Sequence, residues 1–315
     1  MRSWIEDTAE QAVDPSPADL QRFVASGRPF WLDIQDPTDD VIDHLASTIG
    51  LHPLAVEDSK EFGQRGKLER YGDVAMIVGF DIEDGTAFEV HTYYTPNFLI
   101  TLRRDASITF DTMHRTGSIR PFLGGDPIRL LHHLTSQLHG QARTAIDDMD
   151  DRLDRLESQV LLDPTDEQLI EIASVKQRAT ILRRTLTPGR DLAARATTVR
   201  ELPGVTEDSM LYLADISEEL HLVVADLGAI SDRCLGLLTL HSSLTSNRQG
   251  AASRQLAAVA TVFLPITFLV GFFGMNFAAL VNHIDGWVAF LVFGVGLNLA
   301  CIVVTFLWLG RRGWR

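Results

Sequence analysis

Residues 257–277, AAVATVFLPITFLVGFFGMNF, decide the fold of this chain. They belong to an apolar segment, residues 255–284, that contains no Asp, Glu, Lys or Arg, and a membrane-spanning helix needs only about 20 such residues. A second uncharged run, GWVAFLVFGVGLNLACIVVTFLWLG at 286–310, follows almost at once. Neither run has the polar face of an amphipathic core helix. The pair predicts two C-terminal transmembrane helices with a short connecting loop, in preference to a buried hydrophobic hairpin.

Charges next to the two runs predict their orientation. The connecting loop, 278–285, has no Lys or Arg, and the N-terminal 20 residues have no apolar core that would make a signal peptide. The positive-inside rule then places both termini in the cytoplasm and the loop outside a cell (inner) membrane. The basic residues on the cytoplasmic side are Arg248, Arg254, Arg311, Arg312 and Arg315.

Composition narrows the class of protein. The 315 residues carry a formal net charge of −14, which argues against a nucleic-acid surface and agrees with a protein that handles cations. The two cysteines, Cys234 and Cys301, give neither a disulfide framework nor a metal-binding CxxC pair. The sequence shows no glycine-rich phosphate loop and no paired nucleophile and base. We therefore expect neither an enzyme nor a cofactor.

Residues 1–125 are predicted to form a cytoplasmic α/β domain. Strand composition occurs at 29–34, 74–80, 87–94 and 97–102, and an amphipathic helix at 39–49 is closed by Gly50. The strands follow one another directly, and the turn pair Asp84-Gly85 separates two of them. This order favours hairpins and a largely antiparallel sheet.

Residues 126–254 are predicted to be a helical cytoplasmic region. The segment 128–162 has one apolar stripe, and a second helix opens after Asp163-Pro164 and runs to about Arg184. An acidic face of this helix pair could concentrate cations near a channel mouth, or could be an ordinary solvated surface. Its acids are Asp147, Asp148, Asp150, Asp151, Asp154 and Glu157.

A long helix is predicted to begin near Asp208 and to enter the first span of the membrane domain, 255–315, without a break. A helix of that length needs partners, so we expect self-association around an axis. One face recurs every 3.6 residues and is hydroxylic on the cytoplasmic side, then apolar, then polar again. Such a stripe is typical of a water-filled pore with an apolar constriction at Leu256 and Leu264, although it could equally pack helices together. Its members are Thr239, Ser242, Ser246, Gly250, Ser253, Leu256, Ala260, Leu264 and Thr267.

Asn276 closes the outer end of the first span. In a symmetric assembly its carboxamide becomes a ring of neutral oxygens. Mg²⁺ prefers oxygen ligands and gives up its water reluctantly, so such a ring could select the hydrated ion without trapping it. We therefore predict a metal contact at Asn276 through the water shell of the ion.

The sequence resembles the CorA family of divalent-metal transporters, whose signature is GMN after the first of two spans. Gly274, Met275 and Asn276 supply that signature, and residues 31–37 (WLDIQDP), 51–58 (LHPLAVED) and 64–71 (QRGKLERY) look like the cytoplasmic domain of the family. The resemblance covers nearly the whole chain. It implies a homopentamer, a funnel-shaped cytoplasmic domain, a pore-lining stalk helix and a GMN ring as the selectivity filter for hydrated Mg²⁺.

The chain departs from the family pattern at two places. Some members carry an aspartate ring near the cytoplasmic pore entrance, where this chain has Thr239, and many carry an acid just after GMN, where it has Ala278. Regulation by internal Mg²⁺ would then depend on other acids, such as Asp208 or the group between 147 and 157. The sequence leaves three candidate functions: Mg²⁺ influx, transport of Zn²⁺, Co²⁺ or Ni²⁺ by the same fold, and the role of a membrane-anchored sensor or scaffold that conducts no ions.

Overall fold

The computed structural model of the protein describes residues 2–5, 11–13, 17–123, 125–199, 201–275 and 286–311. The chain divides into two compact units, Met1–Thr239 and Leu240–Arg315. The first unit is an α/β domain with long helices, and the second contains the C-terminal part of the long helix, including its apolar span, and the last helical segment. The α/β class, the long helix and the two apolar C-terminal helices predicted from the sequence are confirmed.

Seven strands of the described residues form one sheet in the order β2-β1-β3-β7-β6-β5-β4. Only the β3–β7 pair is parallel, which confirms the prediction of a largely antiparallel sheet. Asp84 and Gly85 both adopt positive φ, as a tight hairpin turn between β5 and β6 requires. The strands are β1 (Arg2–Ile5), β2 (Gln11–Val13), β3 (Phe30–Gln35), β4 (Lys67–Tyr71), β5 (Val74–Glu83), β6 (Thr86–Tyr94) and β7 (Phe98–Arg103).

Helices cover both faces of the sheet. Short helices α1 (Pro17–Ser26), α2 (Asp39–Ile49) and α3 (Pro53–Lys60) precede β4, and α4 (Ile108–Thr116) follows β7. Gly50 ends α2 in the left-handed conformation, as its position after the apolar pattern predicts. One apolar cluster joins β5 and β7 to α5 (Pro127–Leu162) and the start of α7, and another lies on the opposite face with α1 and α2.

Two long helices follow α5. Helix α6 (Asp166–Ala196) begins with a capping box between Thr165 and Gln168 and is longer than the sequence predicts, because it continues through Pro188. Helix α7 (Glu207–Phe273) is a single helix of 67 residues, which confirms the unbroken helix expected from Asp208 into the first span. The last helical segment begins with one turn (Trp287–Ala289), continues as a π-helix (Phe290–Gly296) and ends as α8 (Leu297–Arg311).

A buried polar network fixes the centre of the sheet. The Asp33 carboxylate on β3 accepts hydrogen bonds from the Arg103 guanidinium at 3.0 Å and from the Thr101 hydroxyl at 2.9 Å, both on β7. The His114 Nε2 atom lies 3.2 Å from Asp33, and its ring stacks on Trp31. Burial raises the pKa of Asp33, but the hydrogen bonds from His114 and Arg103 outweigh it and hold the pKa below its usual value. The network therefore ties β3 and β7 to α4.

Candidate pore and its helices

The predicted pore stripe lies on an uncovered face of α7. Eight of its nine members are exposed in the single chain, and Gly250 is half-buried. Leu256 is 72% exposed and Leu264 is 68% exposed, so neither side chain is buried by the described part of its own chain. A large apolar side chain left open in this way is available to lipid, to a second copy of the chain or to a pore.

The opposite face of the first span is partly covered. The half-buried residues there are Ala258, Thr261, Val262, Pro265, Ile266, Leu269 and Phe273. At 3.6 residues per turn, their mean direction lies about 180° from that of Leu256, Ala260, Leu264 and Thr267. Phe273 packs on Phe293 of the last helical segment, with ring centroids 5.7 Å apart. Contacts among the residues that the structure describes therefore leave the predicted stripe exposed.

Hydroxyl groups on the stripe present oxygen lone pairs. The Thr267 hydroxyl donates to the Phe263 carbonyl at 2.8 Å, and the Thr239 hydroxyl donates to the Leu235 carbonyl at 2.9 Å. Each hydroxyl proton is thus used within its own helix. What remains on the exposed side of these two threonines is a hydrogen-bond acceptor.

Helix α7 ends at Phe273, directly before the GMN signature. The Gly274 amide donates to the Val270 carbonyl at 2.9 Å, and the Met275 amide donates to the Phe272 carbonyl at 3.3 Å. A Cβ atom added at Gly274 would lie 2.9 Å from the Val270 carbonyl oxygen, closer than such contacts allow, so the helix end is built for glycine. Met275 is 40% exposed. Asn276, the predicted metal contact, lies outside the described residues.

Part of the acidic face of the helix pair forms ion pairs with a basic side chain of α7. The guanidinium of Arg233 on α7 forms ion pairs with Asp150, with Asp154 at 2.6 Å and with Glu157 at 3.5 Å. The pKa of Arg233 is raised, chiefly by its hydrogen bond to Asp154. The sequence pattern of α5 alone could not show this, because the compensating charge lies about 80 residues away on another helix.

The remaining predicted regulatory acids are exposed. They are Asp147, Asp148 and Asp151 on α5 and Asp208 in the first turn of α7. Asp148 and Asp151 line a polar cleft together with Arg152, Arg155 and Arg178. Among the residues that the structure describes, no group of three or more His, Cys, Asp or Glu side chains could hold a metal ion. The acids of one chain thus do not form a ready-made inner-sphere site in this part of the protein.

Sequence reasoning missed a row of polar contacts between α5 and α7. His132 Nε2 lies 2.6 Å from an Asp215 carboxylate oxygen, and Ser136 donates to Glu219 at 3.1 Å. His139 Nδ1 lies 3.2 Å from the same Glu219, and that contact, with a second from Ser136, holds the pKa of Glu219 below its usual value despite partial burial. One signal for these contacts is present in the sequence, because His132 and His139 are seven residues apart and so lie on the same side of α5. Their partners on α7 could not be identified from the sequence.

Comparison with solved structures identifies the fold first. The fold matches a CorA magnesium transporter from Methanocaldococcus jannaschii with a TM-score of 0.82 and 18% identity, covering 100% of this chain and 98% of that one. It also matches the full-length CmaX protein with a TM-score of 0.74 and 19% identity, covering 99% and 97%. Both likenesses concern the fold, a soluble α/β domain that leads through a long helix to helices long and apolar enough to cross a membrane.

Sequence comparison then gives the family. The family model described as "CorA-like Mg2+ transporter protein" matches residues 26–312, so the chain belongs to this family of transporters and not to a class of enzymes. The "Cobalt/magnesium transport protein CorA" of Thermotoga maritima is 26% identical over 297 residues, which are 90% of this chain and 83% of that protein. The "Zinc transport protein ZntB" of Yersinia pseudotuberculosis is 25% identical over 308 residues, covering 94% and 90%.

Proposed function

We propose that this chain transports Mg²⁺ through a homo-oligomeric pore lined by α7, with Asn276 of the GMN signature as the selectivity ring. The observation that carries the proposal is the free stripe of α7, which lies opposite the face that the chain itself covers and leads to the GMN signature. Membership in the CorA-like family supports the same conclusion. The cation is cargo, and no cofactor is part of the proposal.

The chemistry of the stripe suits a hydrated cation. The water shell of Mg²⁺ is tightly held and points its hydrogen atoms outward, so the wall of the pore must accept hydrogen bonds. Thr239 and Thr267 offer acceptor oxygens because their protons are bound within the helix. Between them, Leu256 and Leu264 supply apolar rings that can close by dewetting. The proposed path is thus polar at both ends and apolar in the middle.

The pore requires several copies of the chain around an axis. We propose a pentamer, by resemblance to the family, in a cell (inner) membrane with both termini cytoplasmic and 278–285 outside. Native mass spectrometry in detergent measures the assembly. Five copies per particle is the expected result, and a stable monomer would contradict the pore.

Zinc transport is the second candidate, since the ZntB relative is as similar in sequence as the CorA relative. Uptake into dye-loaded proteoliposomes, compared across Mg²⁺, Co²⁺ and Zn²⁺, separates the candidates. Faster uptake of Mg²⁺ supports the proposal, and faster uptake of Zn²⁺ assigns the chain to zinc transport. Absence of flux for every ion from correctly assembled protein would leave a membrane-anchored sensor or scaffold and refute both transport functions.

A further inference from the structure

An apolar cavity, partly open to solvent, lies in the first unit between the sheet and the long helices. Its volume is about 120 Å³. One wall comes from β4 and β5, and the others come from α5, α6 and the first turns of α7. Its lining includes Ile77, Leu138, Leu186, Ala193, Ile216 and Leu220. These helices and strands otherwise form the main apolar cluster of the unit.

The cavity exists because a side chain is missing from one face of β5. Side chains alternate between the two faces of a strand, and Ala75 and Ile77 point to the cluster that contains α5, whereas Met76 and Val78 point to the other. Gly79 is next on the α5 side, and a Cβ atom added there would meet no atom within 4 Å. On the facing helix α6, Gly189 and Ala193 are also small.

The two polar side chains at the cavity wall already make hydrogen bonds. The Thr135 hydroxyl shares its one proton between the carbonyls of Leu131 and His132, each at 3.0 Å, and keeps only acceptor capacity, while His139 Nδ1 contacts Glu219. A buried water molecule needs two to four polar partners, so this space offers water little. An apolar cavity of roughly 150 Å³ is large enough to take up benzene or xenon.

We propose that this cavity is a binding site for a small apolar molecule, of the size of benzene or a short hydrocarbon. The ligand would contact β5 at Gly79 and α7 at Ile216 and Leu220, and so would bridge the sheet to the long helix. The site is independent of the proposed pore, and its test does not depend on transport.

The test uses crystals of the full-length protein pressurised with xenon. We expect an anomalous peak between Gly79 and Ile216 in the wild type. Gly79→Val points its methyl groups into the cavity, so the peak should be lost. Gly140→Val is the matched control, because Gly140 is exposed on α5 and a Cβ atom there also meets nothing within 4 Å; its peak should remain.

The proposal would be overturned by the absence of a peak at this position in the wild type, or by a peak that persists unchanged in Gly79→Val. If Gly79→Val does not fold, Ala193→Val fills the cavity from the α6 side and is expected to remove the peak in the same way. A protein that folds with Ala193→Val and still takes up xenon there would contradict the site equally. Ordered water in the cavity of the wild type would also contradict it.

Discussion

The guanidinium of Arg233 on α7 binds the carboxylate of Asp150 on α5, and the two residues are 83 positions apart in the chain. The same separation of 83 joins His132 to Asp215 and Ser136 to Glu219. A constant separation means that α5 and α7 run parallel and in register. These polar contacts therefore fix α5 alongside α7, the long helix that enters the first apolar span.

Arg233→Ala should expose the charge of the acidic cluster. Asp150, Asp154 and Glu157 would then repel one another without compensation, so we expect the melting temperature to fall by a few degrees at low salt. Added Mg²⁺ should restore more stability to this variant than to the wild type. Arg195→Ala, which breaks the pair with Glu201 at 2.8 Å, is the control. An equal response to Mg²⁺ in all three proteins, measured by thermal unfolding, would refute the compensating role.

Regulation by internal Mg²⁺ is predicted to depend on the acids that Arg233 does not bind. Replacing Asp147, Asp148 and Asp151 together by Asn should raise the Mg²⁺ concentration that half-inhibits flux several-fold, because exposed carboxylates attract the ion. The control replaces Asp150 and Asp154 by Asn and Glu157 by Gln. Inhibition curves that coincide with the wild type for both triple variants would make the acidic face an ordinary solvated surface.

The Asp33 network is predicted to dominate the stability of the first unit. Asp33→Asn leaves the Arg103 guanidinium buried without its counter-charge and should cost about 3–5 kcal/mol of unfolding free energy. The pKa of Asp33 is lowered in the folded state. The contribution of Asp33 to stability is therefore complete above its pKa in the unfolded chain, about 3.9, and is lost as the pH falls through its pKa in the folded protein. The advantage of the wild type over Asp33→Asn should therefore be constant near neutral pH and shrink below about pH 4.

Thermal unfolding across pH measures this difference. Asp43→Asn is the control, because Asp43 pairs with Lys60 at 2.6 Å and is 56% exposed, and an exposed pair contributes little. Equal melting temperatures for Asp33→Asn and Asp43→Asn at neutral pH would contradict the structural role of the network.

The constriction is predicted at Leu256 and Leu264. Leu256→Ser should let water into the apolar segment and raise ion leak, because an apolar ring gates by dewetting. Leu307→Ser makes the same change at an exposed position on the last helix, opposite its half-buried stripe, and should leave flux unchanged. If Leu256→Ser conducts no faster than the wild type in liposomes while remaining assembled, the gate lies elsewhere.

Much of the fold followed from local sequence. The hairpin at Asp84-Gly85, the end of α2 at Gly50 and the uncharged first span of α7 are set by residues adjacent in the chain. Helix α6 was predicted to end near Arg184, whereas it continues through Pro188 to Ala196, and Leu186 and Ala196 are buried in this additional part. Short elements such as α3 and β4 have no strong periodicity and were not predicted.

The candidate site was predictable only along one helix. The periodicity of α7 placed the stripe from Thr239 to Thr267 on one face, because the face on which a helical residue lies depends only on its position along that helix. Partners from distant segments could not be read in the same way, as for Arg233 with the acids of α5 or Arg103 with Asp33. The pore, the ring at Asn276 and the number of subunits depend on contacts between copies, and they stay predictions.

Mg²⁺ uptake by the Asn276→Ala protein tests the central claim most directly. The side-chain oxygen of Asn276 is proposed to hold the hydrated ion, so its removal should abolish uptake into dye-loaded proteoliposomes. Asn276→Asp should bind Mg²⁺ but conduct poorly or lose selectivity, because a ring of negative charges slows release of the ion. Assembly is checked in parallel by native mass spectrometry. Loss of uptake by a correctly assembled Asn276→Ala protein is the predicted result, and uptake at the wild-type rate would contradict the account.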